Sequence, residues 1–216
     1  MNQLCPLCGS HEKQLFSEDD DCKYYQCFTC KLVFVPSKYY LNEDEEKQRY
    51  DLHTNSPADL NYRKFLNRMF EPIQERFSHK SSGLDFGSGP GPTLSLMFEE
   101  AGHKMSIYDY FYANDIDVFT KEYDFITATE VVEHLHQPYD ELYRLWSCLK
   151  RDGYLGIMTS RYDEVTDFSK WHYKLDPTHI CFFSIDSFKW LCKKWQCDLH
   201  VIDKDTVILH KKQITD

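Results

Sequence analysis

Residues 84–111, "LDFGSGPGPTLSLMFEEAGHKMSIYDYF", decide the fold. An apolar run passes into glycines at alternate positions, Gly87, Gly89 and Gly91. A helical pattern follows and ends at Gly102, and an acidic residue, Asp109, closes the next apolar run. A glycine turn between a strand and a helix lies at the carboxyl edge of an α/β sheet, where such folds bind ligands. Glycines there let the backbone come close to the ligand.

The pattern continues on both sides. "GLDFG" reads as a strand, "PTLSLMFEEAG" as a helix and "KMSIYD" as a strand; after an irregular piece come "YDFITAT" as a strand and residues 138–149 as a helix. "YLGIMTS" is then a strand, "SIDSFKWLCKKW" a helix opened by a Ser/Asp cap, and "DLHVID" with "TVILHK" a closing pair of strands. Alternating strands and helices ending in a hairpin predict a three-layer, mostly parallel α/β sheet with one antiparallel strand near an edge. Upstream, residues 59–79 place apolar side chains at near-helical spacing, with Pro72 expected to kink or divide the helix.

The first 38 residues are of another kind. Cys5 and Cys8 form one C-x-x-C pair and Cys27 with Cys30 a second, and short β-type runs lie beside them. Two such pairs complete a tetrahedral four-thiolate shell for Zn²⁺ with no open position, so the ion would be structural. A segment of this size does not usually fold unaided, which favours a zinc ribbon over four free thiols. The expected organisation is a ribbon over 1–38, a polar and partly helical linker over 39–58, and the α/β domain over 59–216.

Composition narrows the partners. The formal net charge is −10, and nucleic-acid binders usually release counterions through a basic face. A small-molecule substrate is therefore favoured and nucleic acid disfavoured. No apolar run approaches the roughly 20 residues of a membrane span. "MNQLCPLCGS" has no apolar core of a secretory signal, so a cytoplasmic location is the default expectation.

What the loop binds is settled by context. No G-K-[ST] follows it, which excludes a triphosphate loop, and its G-x-G-x-G spacing departs from the dinucleotide G-x-G-x-x-G. "LDFGSGPG" resembles the first motif of the class I S-adenosylmethionine-dependent methyltransferases. "YDFITATEVVEHLHQP" resembles their fourth-strand motif, and "LKRDGYLGIMTS" the helix-turn-strand element that follows. "EVVEHL" together with "WHYKLDPTHICFFSIDSFKWL" is similar to methyltransferase domain family 23, which an N-terminal four-cysteine ribbon often accompanies. The resemblance covers about residues 60–212 and implies a Rossmann-like sandwich that binds S-adenosylmethionine through Asp85, Phe86, Gly87, Gly89, Gly91, Asp109, Tyr110, Thr129 and Glu130. Asp109 matches the acid that meets the ribose hydroxyls. The sequence departs from the pattern between Asp109 and Tyr123, where the usual third strand and its helices are compressed.

For the acceptor, Glu130, Glu133 and His134 stand at i, i+3 and i+4 after the fourth strand and would share one face if helical. His179 is expected to close over the same mouth. The four match, residue by residue, the E-x-x-E-H and downstream His that hold Mg²⁺ in the plant small-RNA 2′-O-methyltransferases. A second divalent ion at the acceptor site is thus one reading, and a metal-free polar site the preferred one. Trp171, His172, Tyr173, Phe182 and Phe183 are candidates for a pocket wall or lid. The function expected is methyl transfer to the O or N atom of a small molecule or biosynthetic intermediate. The alternatives are an RNA methyltransferase whose ribbon grips substrate, and a non-catalytic cofactor-binding scaffold whose ribbon docks a partner.

Overall fold

The computed structural model describes residues 3–52 and 55–212. It opens with an antiparallel meander of β1 (Lys13–Glu18), β2 (Lys23–Cys27) and β3 (Val33–Phe34). The segment expected to link the two parts contains α1 (Glu43–Tyr50). Asn42 starts it with a capping box, taking the Glu45 backbone N–H at 3.0 Å while Glu45 takes that of Asn42. None of its residues is buried. Next, α2 (Leu60–Gln74) is capped by Asp59 and buries Leu66, Met69 and Ile73. Pro72 falls in its last turn, where it neither divides the helix nor stops it short of Gln74.

The larger sheet is built from β4 (Ser82–Phe86), α3 (Thr93–Glu100), β5 (Lys104–Tyr108), β6 (Tyr123–Thr129), α4 (Pro138–Ser147) and β7 (Leu149–Met158). After the two-residue β8 (Cys181–Phe182) come α5 (Ile185–Trp195), β9 (Asp198–Val201) and β10 (Thr206–His210). The strand order is β5-β4-β6-β7-β10-β9, with β5, β4, β6 and β7 parallel and β10 antiparallel to both its neighbours. Beyond β5, residues 109–122 form a single bridge, Asp109 to Ala113, and a 3-10 turn over Ile116–Thr120. No further strand is present there among the described residues. The strand expected from Tyr154 begins earlier, at Leu149, because a bulge opposite Tyr123 and Phe125 absorbs the "KRDG" turn.

Side-chain alternation divides the core into two layers. Phe125, Met158 and Ile208 point to α2 and α3; Ile126, Ile157, Val207 and Leu209 point to the side holding α4 and α5. That second layer continues without a break into the ribbon, with Leu32, Val33 and Phe34 in the same apolar cluster. β8 explains why. It pairs antiparallel with β3, Val33 opposite Phe182, and so supplies the fourth strand of the ribbon's sheet. Lys174, buried and paired with Asp19 at the β1–β2 turn, adds an ionic tie. No described helix is long and apolar enough to cross a membrane.

Candidate active site

At the end of β4 the chain turns through Gly87 (φ +73°) and Gly89 (φ +64°). The Gly87 and Ser88 N–H groups donate to the Tyr108 carbonyl at 2.7 and 3.2 Å, which ties the loop to the end of β5. Asp109 then clamps it. One carboxylate oxygen accepts the Gly89 N–H at 2.9 Å; the other accepts those of Phe111 and Tyr112 at 2.9 and 3.1 Å. Ligand clearance accounts for only one of the three glycines. A Cβ on Gly89 would meet nothing nearer than the Asn55 amide at 3.7 Å. On Gly87 it would lie 2.3 Å from a Val131 methyl, and on Gly91 2.0 Å from the Asn55 carbonyl oxygen. Those two positions are glycine because of protein neighbours.

A cleft of about 740 Å³ runs from this loop toward His134 and His179. Phe86, Gly87, Gly89, Asp109, Tyr110, Thr129 and Glu130 line it; Asp85 and Gly91 do not. Asp85 is buried beneath the loop, where it accepts the Thr127 hydroxyl at 2.9 Å, and burial pushes its carboxyl up to about 7. The far wall is the expected linker, which supplies Glu43, Glu46, Tyr50 and Asn55. Tyr110 donates to Glu43 at 3.2 Å, Tyr112 to Asp51 at 2.6 Å, and Glu46 meets His136 at 2.8 Å. Nothing in the sequence of α1, which has no apolar face to bury, marks it as a wall of the site.

The "EVVEH" segment is not an α-helix. Glu130 takes a left-handed conformation (φ +53°), and only Val132–His134 form a 3-10 turn, so the shared-face argument fails. A left-handed non-glycine residue is disfavoured by about 1–2 kcal/mol, a strain often found at functional sites. Tyr173 brings the carboxyls together instead. Its hydroxyl lies 2.6 Å from Glu133 and 3.1 Å from Glu130. Thr159 donates to the second Glu133 oxygen at 2.8 Å. A phenol has one proton, so if Tyr173 gives it to the nearer Glu133, the bond to Glu130 requires a protonated Glu130 as donor. Burial, then the neighbouring Glu133, raises the Glu130 carboxyl to about 8, in agreement with that proton count. Burial raises Glu133 as well.

The two histidines meet with ring centroids 4.6 Å apart. His134 Nδ1 lies 3.2 Å from the Thr178 carbonyl and His179 Nδ1 2.6 Å from that of Tyr173. Carbonyls only accept, so each Nδ1 donates, and in a neutral ring Nε2 is then the basic nitrogen. Burial holds His179 below the ordinary imidazole value, which keeps it neutral near pH 7. Tyr50 of α1 stands edge-on to His134 at 5.3 Å. Of the aromatic candidates, Tyr173 alone touches the acidic pair. Trp171, Phe182 and Phe183 are buried in the core, and His172 is exposed.

Two clusters can be weighed as metal sites. Glu133, His134 and His179 each bring a ligand atom within 4.8 Å of the others, but Glu130 is not in that group. The four-residue set expected there is reduced to three, and both oxygens of its carboxylate already accept hydroxyl protons. At the ribbon, the sulfurs of Cys5, Cys8, Cys27 and Cys30 all lie within 4.8 Å of one another, with Cys5–Cys30 at 3.5 Å and Cys8–Cys27 at 3.4 Å. A zinc tetrahedron with bonds of about 2.3 Å has sulfur–sulfur edges of about 3.8 Å, so the cage has the right size.

A parallel sheet closed by an antiparallel hairpin, with a glycine loop after one strand and an acid at the end of the next, defines a class I methyltransferase. The "Methyltransferase domain" model of family 23 matches residues 55–201, and the chain belongs to that family of S-adenosylmethionine-dependent enzymes. Among solved structures it is similar to magnesium protoporphyrin IX methyltransferase (ChlM) from Synechocystis PCC 6803 with bound S-adenosylhomocysteine. That match has 12% identity, a TM-score of 0.52, and covers 80% of this chain and 96% of that one. It is also similar to a SAM-dependent methyltransferase from Archaeoglobus fulgidus, with 17% identity, a TM-score of 0.51, and 69% and 94% covered. At these identities the likeness concerns the fold. No curated protein matches the chain in sequence.

Proposed function

We propose that the chain transfers the methyl group of S-adenosylmethionine to a small-molecule acceptor without a metal at the acceptor site. The observation that carries this is the continuity of the cleft, whose one end is the glycine loop with Asp109 and whose other is Glu130, His134 and His179. Phe86 to Pro90, Asp109, Tyr110, Thr129 and Glu130 would hold the cofactor. The open space above Gly89 and the clamped Asp109 carboxylate, whose Oδ2 keeps one lone pair for a hydroxyl donor, suit its ribose. The bound cofactor supplies an electrophilic methyl on a cationic sulfur for in-line displacement. The acidic lining, with Glu43, Glu46, Asp109, Glu141 and Asp176 against Arg144, suits that cation and repels polyanions such as RNA. His179 Nε2, on a partly buried ring that lines the cleft and is held below the ordinary imidazole value, takes the proton that an O–H or N–H acceptor must lose, with His134 orienting the acceptor beside it. Tyr173, locked between two carboxyls, fixes the floor of the site. The place of Glu130 outside the three-residue cluster, and the full burial of Glu133 beneath Tyr173 and Thr159, support the metal-free reading.

In the ribbon, Cys5, Cys8, Cys27 and Cys30 would hold one structural Zn²⁺, and the division into 1–38, 39–58 and 59–216 describes sequence character more than independent units. Calorimetry with S-adenosylhomocysteine and with NAD tests the cofactor. Micromolar binding of the first alone is expected, and binding of NAD alone overturns the assignment. Loss of affinity by about tenfold in Asp109→Ala would locate the site.

A further inference from the structure

A second groove, of about 720 Å³, lies beside the cleft, and nothing in cofactor binding requires it. One wall is the first cysteine turn of the ribbon, residues 3–9; the other comes from the start of α4 and from α5, including Tyr139 and Trp190. The two cavities adjoin, since His136 and Gln137 line both. His136 is held as the saddle between them. Tyr40, a groove residue, packs against its ring at 4.7 Å, while Glu46, a cleft residue, meets its Nε2 at 2.8 Å. The surfaces differ in character. The cleft has the acidic lining described above, whereas the groove sets Leu4, Tyr40, Tyr139 and Trp190 among neutral polar groups, with one Asp140 balanced by one Lys194. Such a groove, at the seam of two modules, with aromatic rings interleaved with amide, hydroxyl and charged groups, takes a planar aromatic group whose edge carries a hydrogen-bonding atom.

We propose that the methyl acceptor is a two-part molecule: a neutral or cationic reactive end enters the acidic cleft, and a planar aromatic group lies across His136 in the groove against the ribbon. The inference rests on the methyltransferase reading and adds an acceptor class to it. It gives the ribbon a part in acceptor selection through its wall of the groove. The charge contrast decides the polarity of the ligand, because a carboxylate or phosphate at the reactive end would face the acids of the cleft.

The test uses the full zinc-loaded chain saturated with S-adenosylhomocysteine, and two probes that share a ring and differ in charge, tryptamine and indole-3-acetate. Saturation-transfer NMR should show tryptamine binding about tenfold or more tighter than indole-3-acetate. Trp190→Ala should weaken tryptamine by roughly fivefold and leave S-adenosylhomocysteine affinity unchanged. Because Trp190 is partly buried, Leu4→Lys on the exposed ribbon wall is the second variant, with the same expected direction. Absence of tryptamine binding, equal binding of both probes, or tryptamine affinity unchanged in both variants overturns the groove assignment. Failure of S-adenosylhomocysteine to bind would instead overturn the methyltransferase reading, so the two failures are distinguishable.

Discussion

At the cofactor end of the cleft, the bonds that shape the site join a loop to the strand that follows it. Gly87 and Ser88 bond to Tyr108, and Gly89 bonds to Asp109. At the acceptor end, Tyr50, Glu130, Glu133, Thr159, Tyr173 and His179 come from separate parts of the chain, and Tyr173 alone reaches back 40 residues to Glu133. His179 also stands two residues before β8, the strand that completes the ribbon's sheet. One end is thus a local motif, and the other is an assembly coupled to the ribbon. Disturbance of the ribbon should therefore travel to acceptor chemistry and spare cofactor binding.

The strongest way to break this contrast is His179→Ala. Turnover should fall by about a hundredfold or more, as for a lost acid–base group, while S-adenosylhomocysteine affinity by calorimetry stays the same. Full activity in that variant would remove the acceptor site as assigned. Cys27→Ser should come next. Elemental analysis is expected to drop from about one zinc per chain toward none, with turnover falling about tenfold and cofactor affinity holding within about twofold. Equal losses of both would show the two ends to be one unit.

Tyr173→Phe sharpens the comparison within the acceptor end. It leaves Glu133 with one hydroxyl donor and removes the acceptor for the Glu130 proton, a destabilisation of about 1–3 kcal/mol measurable by urea unfolding. Its pH–rate profile should shift, whereas a purely structural hydroxyl would leave the profile in place. At the cofactor end the expected effect is on stability and its pH dependence, and turnover at fixed pH is spared. Asp85 titrates at about 7 in the fold because of burial, against about 3.9 when unfolded. Between those values the folded chain keeps a proton that the unfolded chain has released, so stability falls as pH rises through the window. Asp85→Asn can still accept from Thr127 and should flatten that fall, which melting curves at about pH 5 and about pH 8 would show.

Legibility in the sequence follows the same division. The glycine loop, the Asp109 strand, the Ser184-capped helix and the four cysteines are local patterns, and the structure places each where the pattern predicts. The acceptor end was read in part. Glu133, His134 and His179 do meet, but the helical face expected to join Glu130 to them is absent, because Glu130 is left-handed where Val131 packs onto Gly87. Tyr173 shares its aromatic pattern with neighbours, Trp171, Phe182 and Phe183, that belong to the core. Tyr50 carries no sequence sign of its place, since a polar helix without an apolar stripe does not show what it faces, and Asn55 lies in an irregular stretch with no pattern at all. β8, two residues long, is too short for any periodicity to show.

That short strand also bears on how the chain is made. Val33 and Phe182, partners in β3 and β8, are separated by 149 positions (182 − 33). During synthesis at about 5–20 residues per second, the ribbon emerges with the β3 edge bare for roughly 7–30 seconds before its partner exists. An unpaired apolar edge is a template for pairing with other chains. Zinc loading cannot remove this exposure, because the cysteine cage lies at the turns and leaves the edge untouched. Aggregation during expression should therefore concentrate in chains stopped between the ribbon and residue 182, even when metal is supplied.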